Sequence, residues 1–234
     1  MNFLQICQKV DIMAGTQGSF QSVSNPVGAH AVITQAVIDG FLDLQNDRKD
    51  FEFMKKAAAF STNVGTRSYS TSTIFGTQSA TDDPYDYFGR WQKLDPYSSY
   101  FITDPDDSIK YMVQYVNYEW FKTAFLNPGS VNKRPRYITA DPSDNLLFHP
   151  TPDKIYTVAA DYFLEPLALQ GNAMVPYLPS RFHQLLAYMG LERVANHYSN
   201  TSIYQRYAGQ AAVLFGQLYR DQVPGKSVRL NPVA

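Results

Sequence analysis

Four histidines, His30, His149, His183 and His197, are the side chains in this sequence best placed by chemistry to move protons or ligate metal near neutral pH, and they are scattered along the chain. None stands at a spacing that builds a zinc site with its neighbours. His183 follows Arg181 near a predicted helix start, but no acid lies within one turn to orient it, so a cap or interface histidine is the simpler reading. Asp39, Asp43 and Asp47 recur every four residues, which would suit a metal or general-acid cluster if a histidine faced them; without one, they read as a solvated helix face. Asp104, Asp106 and Asp107 alternate as in a calcium loop, yet the glycine and terminal glutamate of that loop are missing, and turn chemistry suffices. Cys7 is the only cysteine and lies on an apolar helical face, which excludes a disulfide within one chain and predicts a buried, inert thiol. There is no glycine-rich phosphate loop after a strand and no nucleophile elbow. No catalytic residue, cofactor site or metal site is assigned.

The elements that must position these residues form a chain of 234 residues with a net charge of −1, large enough for one sizeable domain or two small ones. A near-neutral balance without a basic block argues against a dedicated nucleic-acid binder. The 17 tyrosines and 15 phenylalanines favour strands and half-wet interfaces, and so point to assembly. The N-terminus lacks a signal-peptide pattern, and no apolar span approaches the ~20 residues of a membrane helix. The expectation is a soluble protein not exported by the Sec route, with no membrane contact. In that setting the acceptor-like triplet Asn200-Thr201-Ser202 reads as a helix cap.

Helical periodicity marks both ends. Asn2 caps a first helix carrying Phe3, Ile6, Cys7, Val10, Met13 and Ala14, which Gly15 stops; a second runs from Ala29 to Asp47 with Val32, Ile33, Ala36, Val37, Phe41 and Leu44 on one face. A C-terminal pair spans Pro179 to Gln222. Its stripes are Phe182, Leu185, Leu186, Met189 and Val194, then Tyr204, Tyr207, Ala208, Ala211, Leu214, Phe215 and Leu218, with a reversal at Ser199–Ser202. Tyr188, Leu191, Ala195 and Ala212 add apolar flanks, so the pair requires cover from elsewhere in the chain.

The middle has strand character. A hairpin is expected across Asn63–Thr66, joining Ala57–Phe60 to Arg67–Thr71, followed by a loop at Gly76–Pro84. Tyr97–Thr103 and Ile109–Val116 should pair across Asp104–Ser108, and Asn117 should cap a short helix over Tyr118–Phe125 closed by Asn127-Pro128-Gly129. Arg136–Ala140, Leu146–Phe148 and Ile155–Leu164 then read as an antiparallel meander. The fold class is therefore α+β: a four-helix bundle made by the N- and C-terminal helix pairs (1–50 and 166–222), with a large antiparallel β-rich insertion (51–165) between helices two and three. Residues 223–234 are distinct. Val228, Leu230 and Val233 alternate around Lys226 and Arg229 between Pro224 and Pro232, a pattern suited to an extended arm on a partner or simply to a frayed end.

Taken in order, several short motifs give the chain its resemblance to head-to-tail adaptor (neck or connector) proteins of tailed bacteriophages. They are Asn2-Phe3-Leu4-Gln5 with Cys7, Phe41–Asn46 with Asp50–Met54, Trp120, Arg134-Pro135-Arg136-Tyr137, Leu147–Pro150 with Pro152-Asp153, Tyr162 before Glu165-Pro166, and Pro179–His183. Tryptophan often stands in that family where this chain has Phe51 and Phe53, and the Thr77–Asp83 loop has no obvious counterpart there. The resemblance implies a structural virion protein of the neck, assembled in the host cytoplasm as a ring of typically twelve subunits under the portal. It implies a DNA channel continued towards a downstream neck or tail protein, DNA passing without specific binding, no cofactor and no catalysis. It also places Val228, Arg229, Leu230 and Pro232 on a portal-binding arm. Two alternatives of other classes are a virion-associated cell-wall hydrolase using paired carboxylates such as Asp39 and Glu192, and a glycan- or receptor-binding tail module built on the aromatic middle.

Overall fold

The computed structural model describes residues 1–16, 20–48, 50–76, 87–93, 99–125 and 131–223. The fold is mixed α+β, and the chain divides into two units, Met1–Met54 with Pro166–Ala234 and Lys55–Glu165. In the first unit, α1 (Phe3–Ala14) opens with a reciprocal capping box. The Gln5 N–H donates to the Asn2 side chain, and the Asn2 N–H donates to that of Gln5. Gly15 closes it at φ 77°, returning its N–H to the carbonyls of Asp11 and Ile12. Phe3, Ile6, Cys7 and Val10 are buried, and burial pushes the Cys7 thiol up to about 12, which keeps it protonated and unreactive. α2 (Ala29–Asp47) buries Ile33, Val37, Phe41 and Leu44, with Asp43 and Asp47 exposed.

The second unit holds two sheets. In the first, β9 (Thr157–Leu164) is central: β1 (Lys55–Ser61) covers one edge, and β4 (Tyr100–Thr103) and β3 (Phe88–Trp91) share the other. β5 (Lys110–Met112) extends that sheet from β4. The second sheet has the order β2 (Ser68–Tyr69), β8 (Leu146–His149), β7 (Tyr137–Ala140), β6 (Gln114–Tyr115), and its β6–β7 pair is parallel. Val113 carries the chain between the sheets, its N–H donating to Tyr100 and the next N–H to Arg136. Aromatic side chains fill the unit: Phe60, Tyr69 and Phe148 meet within 6.4 Å, and Phe75 lies against Trp91 and Tyr162.

Four expectations for this unit are corrected. The hairpin after Phe60 does not form. The turn is present, with Gly65 at φ 74° and the Thr66 N–H donating to Asn63, but it sends β1 and β2 to different sheets. The reason is ladder length: β1 gains seven paired positions against β9, from Lys55↔Phe163 to Ser61↔Thr157, whereas β2 offers two. Nor is there a three-stranded meander. β7 and β8 pair, but Pro150 and Pro152 remove the donors a third strand would need next, and β9 joins the other sheet. With β6 parallel to β7, the unit is not wholly antiparallel. The Ser/Thr run also contains α3 (Thr71–Phe75), capped by Ser70, where a strand was expected. The β4–β5 pair and α4 (Tyr118–Phe125), whose Glu119 N–H donates to Asn117, match expectation. The Thr77–Asp83 and Asn127–Gly129 loops lie outside the described residues.

The first unit resumes after Pro166. A 3-10 turn at Ser180–Phe182, with no side-chain cap, leads into α5 (His183–His197). Asn200 then caps α6 (Thr201–Gln222) by accepting from the Ile203 N–H. α5 packs against α1, α2 and α6, and α1 against α2. Leu185, Leu186, Ala187, Leu191 and Val194 are accordingly buried. α6 departs from the expected stripe. Only Ala211 and Leu218 of its 22 residues are buried; Tyr204 and Ala212 are exposed, and Tyr207, Leu214 and Phe215 half-buried.

Candidate docking surfaces

Two concave surfaces stand out, one in each unit. In the second unit, the pairing of Tyr137 with His149 in the β7–β8 ladder, fixed by the Arg136 N–H donating 2.9 Å to the His149 carbonyl, brings two distant sequence motifs together. They line a groove of about 590 Å³ with Lys133, Arg134 and Arg136 against a single carboxylate, Asp153, which accepts 2.7 Å from the Tyr156 hydroxyl. The Arg134 guanidinium stacks 3.8 Å over Tyr111. Beneath them runs an aromatic stack, His149 on Phe125 at 3.9 Å and Phe125 on Tyr137 at 5.2 Å, with Trp120 edge-on to Phe125 and half exposed. Arg67 donates to the Phe125 carbonyl, and burial together with this guanidinium holds His149 below the ordinary imidazole range.

In the first unit, α5 and α6 frame a groove of about 610 Å³ lined by Gln184, Tyr188, Arg206, Gln210, Val213 and Leu214. Tyr188 and Tyr207 stack across the two helices at 5.7 Å. Val213 is 60 % exposed, an apolar side chain on a helix face that none of the described residues of this unit covers. Neither groove joins a nucleophile to a base. Both are suited to holding another surface.

The model of the SU10 adaptor protein family matches residues 1–232. The chain belongs to this family of phage head-to-tail adaptors. Among curated proteins, none matches it. As an adaptor it is a structural phage protein rather than a member of an enzyme family, a virion component that works in association with other head and tail proteins.

Several of the residues singled out for chemistry make structural contacts in this adaptor. His183 is buried. Its Nε2 meets the Leu178 carbonyl at 2.9 Å and its Nδ1 the Met1 nitrogen at 2.7 Å, and burial lowers its pKa. Asp39 accepts from Gln35, and Asp43 pairs with Arg193 on α5. In the calcium-like loop, Asp104 and Asp107 accept backbone N–H groups, and the Lys154 ammonium, 2.7 Å from Asp104, also bonds Asp106. That contact holds the Asp104 carboxyl below its usual range. Among the described residues, no group of three or more His, Cys, Asp or Glu could hold a metal ion, and no helix is long and apolar enough to cross a membrane. Val228, Arg229, Leu230 and Pro232 lie outside the described residues. Lys133 carries no signal in the sequence beyond its proximity to Arg134 and Arg136.

The two lowered imidazoles couple the adaptor's stability to pH near neutrality. Folded His183 and His149 stay neutral below the ordinary value of 6.5, while the unfolded chain takes up those protons. Their contribution to stability is therefore complete above pH 6.5 and declines as pH falls towards the folded values. Thermal unfolding between pH 7.5 and 5.5 is expected to show a falling midpoint, with a shallower slope in His183→Gln. An unchanged slope would remove His183 from this account.

Proposed function

We propose that the adaptor assembles as a ring, dodecameric as in similar proteins, that sits under the portal, continues the DNA channel and presents the docking platform for the tail. In this reading the N- and C-terminal helix pairs act as a four-helix bundle, the β-rich insertion is a second lobe, and residues 223–234 form the arm carrying Val228, Arg229, Leu230 and Pro232 into the portal. Assembly takes place in the host cytoplasm, and DNA passes without specific binding. A chain with near-neutral overall charge suits that passage, because cation-rich walls would bind phosphates with a strong dependence on salt.

The observation that carries the reading is α6 in a chain of this family: a 22-residue helix with two buried side chains has a face that a neighbouring subunit would cover. Electron microscopy of the protein mixed with its portal tests it. A closed ring on the portal is the expected result, and a protein that stays monomeric with no complex overturns it. Deleting the residues after Pro224 is expected to abolish portal binding; undiminished binding would remove the arm from the proposal.

A further inference from the structure

We infer that the basic groove of the second unit receives the acidic outer face of α2 from the adjacent copy, so that one contact type, repeated head to tail, closes the ring. This rests on the ring reading above and names the surfaces that meet. The groove side is Lys133 and Arg136, both exposed and without an ion-pair partner among the described residues, beside Arg134. The opposite side is α2, which carries Asp39, Asp43 and Asp47 and no lysine or arginine. At four-residue spacing these carboxylates form one row of ~12 Å, at about 1.5 Å per residue. Asp43 is 67 % exposed even with Arg193 on its flank.

The two surfaces also match in their apolar parts. The groove is lined in part by Val131, 51 % exposed, and its Tyr137 packs against Trp120, 49 % exposed; α2 places the half-buried Leu42 beside Asp43. A phosphate backbone would satisfy the cations and leave those apolar side chains in water, which favours a protein face over nucleic acid. Because the groove and the acidic row are different patches, the contact is heterologous, the kind that generates rings when the rotation closes. Opposite charges on the two patches also disfavour groove-to-groove pairing and fix the direction of addition.

Charge reversal on each patch tests the inference in the full chain. Sedimentation at rising concentration, with and without portal, should show assembly of the wild type that weakens with salt. Lys133→Glu with Arg136→Glu, and separately Asp43→Lys with Asp47→Lys, should each weaken self-association by ~10-fold or more, since like charges then face each other. Mixed in equal amounts, the two variants should assemble again, because every contact in an alternating ring pairs opposite charges. Circular dichroism melting confirms folding, and Asp47→Lys alone replaces the double variant if loss of the Asp43–Arg193 pair destabilises it. Wild-type-like assembly of either variant, or a folded mixture that does not recover, overturns the inference and leaves the ring reading standing. Loss of duplex DNA binding in the Lys133/Arg136 variant with assembly intact also overturns it, and gives the groove to phosphate. Wild type that stays monomeric with portal overturns the ring reading itself.

Discussion

Replacing Gly190 with leucine is expected to prevent the helical unit from folding, and replacing it with alanine to destabilise it. An alanine in a helix interior is ordinarily worth ~1 kcal/mol over glycine. Here the sign reverses because of the crossing between α2 and α5. A Cβ at Gly190 would stand 2.8 Å from Val37 Cγ2 and 3.5 Å from Val10 Cγ2. Opposite it, a Cβ at Gly40 would stand 3.3 Å from Met189 Cβ, so two glycines on facing helices allow the backbones to approach. Val37 is β-branched and fully buried, leaving it little rotamer freedom to give way. Overpacking of this kind costs about 1–3 kcal/mol for small insertions, and leucine exceeds it, against total stabilities of ~5–15 kcal/mol. Denaturant midpoints check this, and the double variant Val37→Ala, Gly190→Ala should recover part of the loss. A Gly190→Ala protein more stable than wild type would show that α2 and α5 are not held this closely.

The helices of this unit were legible because their cues are local. Phe3, Ile6, Cys7 and Val10 repeat at helical spacing, and Asn2, Gly15 and Asn200 carry caps within a turn of the groups they satisfy. The strands were legible as segments but not as partners. Whether β1 folds onto β2 or onto β9 depends on a chain stretch about a hundred residues away, and the longer ladder prevails. Periodicity also marks α6 as apolar without showing what covers it. The docking groove was visible as two separate motifs, Arg134–Tyr137 and Leu147–Pro150, which become one surface only through the β7–β8 register. From sequence the acidic row on α2 reads as solvated, and the exposed Asp43 and Asp47 fit that reading within one copy.

The residue least legible from sequence is Gln45, and its loss should have an effect close to that of the packing glycine. It lies in an acidic, amphipathic helix where a glutamine would pass for surface, yet it is fully buried. Its amide donates to the carbonyls of Phe41 and Leu167 at 3.0 and 3.1 Å, while its oxygen accepts from the Leu167 N–H at 2.9 Å and from the Tyr177 hydroxyl. One side chain thus supplies both partners for the backbone at the point where the chain rejoins this unit after the β insertion, 122 residues away in sequence. Gln45→Leu keeps the volume but strands those buried groups, at about 1–3 kcal/mol for each left unsatisfied. Gln45→Glu separates packing from hydrogen bonding. Its carboxylate would face two carbonyls in a dry site, so its folded pKa should rise above the unfolded value, and the variant should regain stability as pH falls. Wild type should do the opposite over pH 7.5 to 5.5, because its two lowered imidazoles cost stability there. Opposite slopes in the two proteins, with faster amide exchange at Leu167 in Gln45→Leu, are the expected result. Parallel slopes would mean that position 45 tolerates charge, and that the returning chain is held by the burial of Leu169 and Leu178 rather than by this side chain.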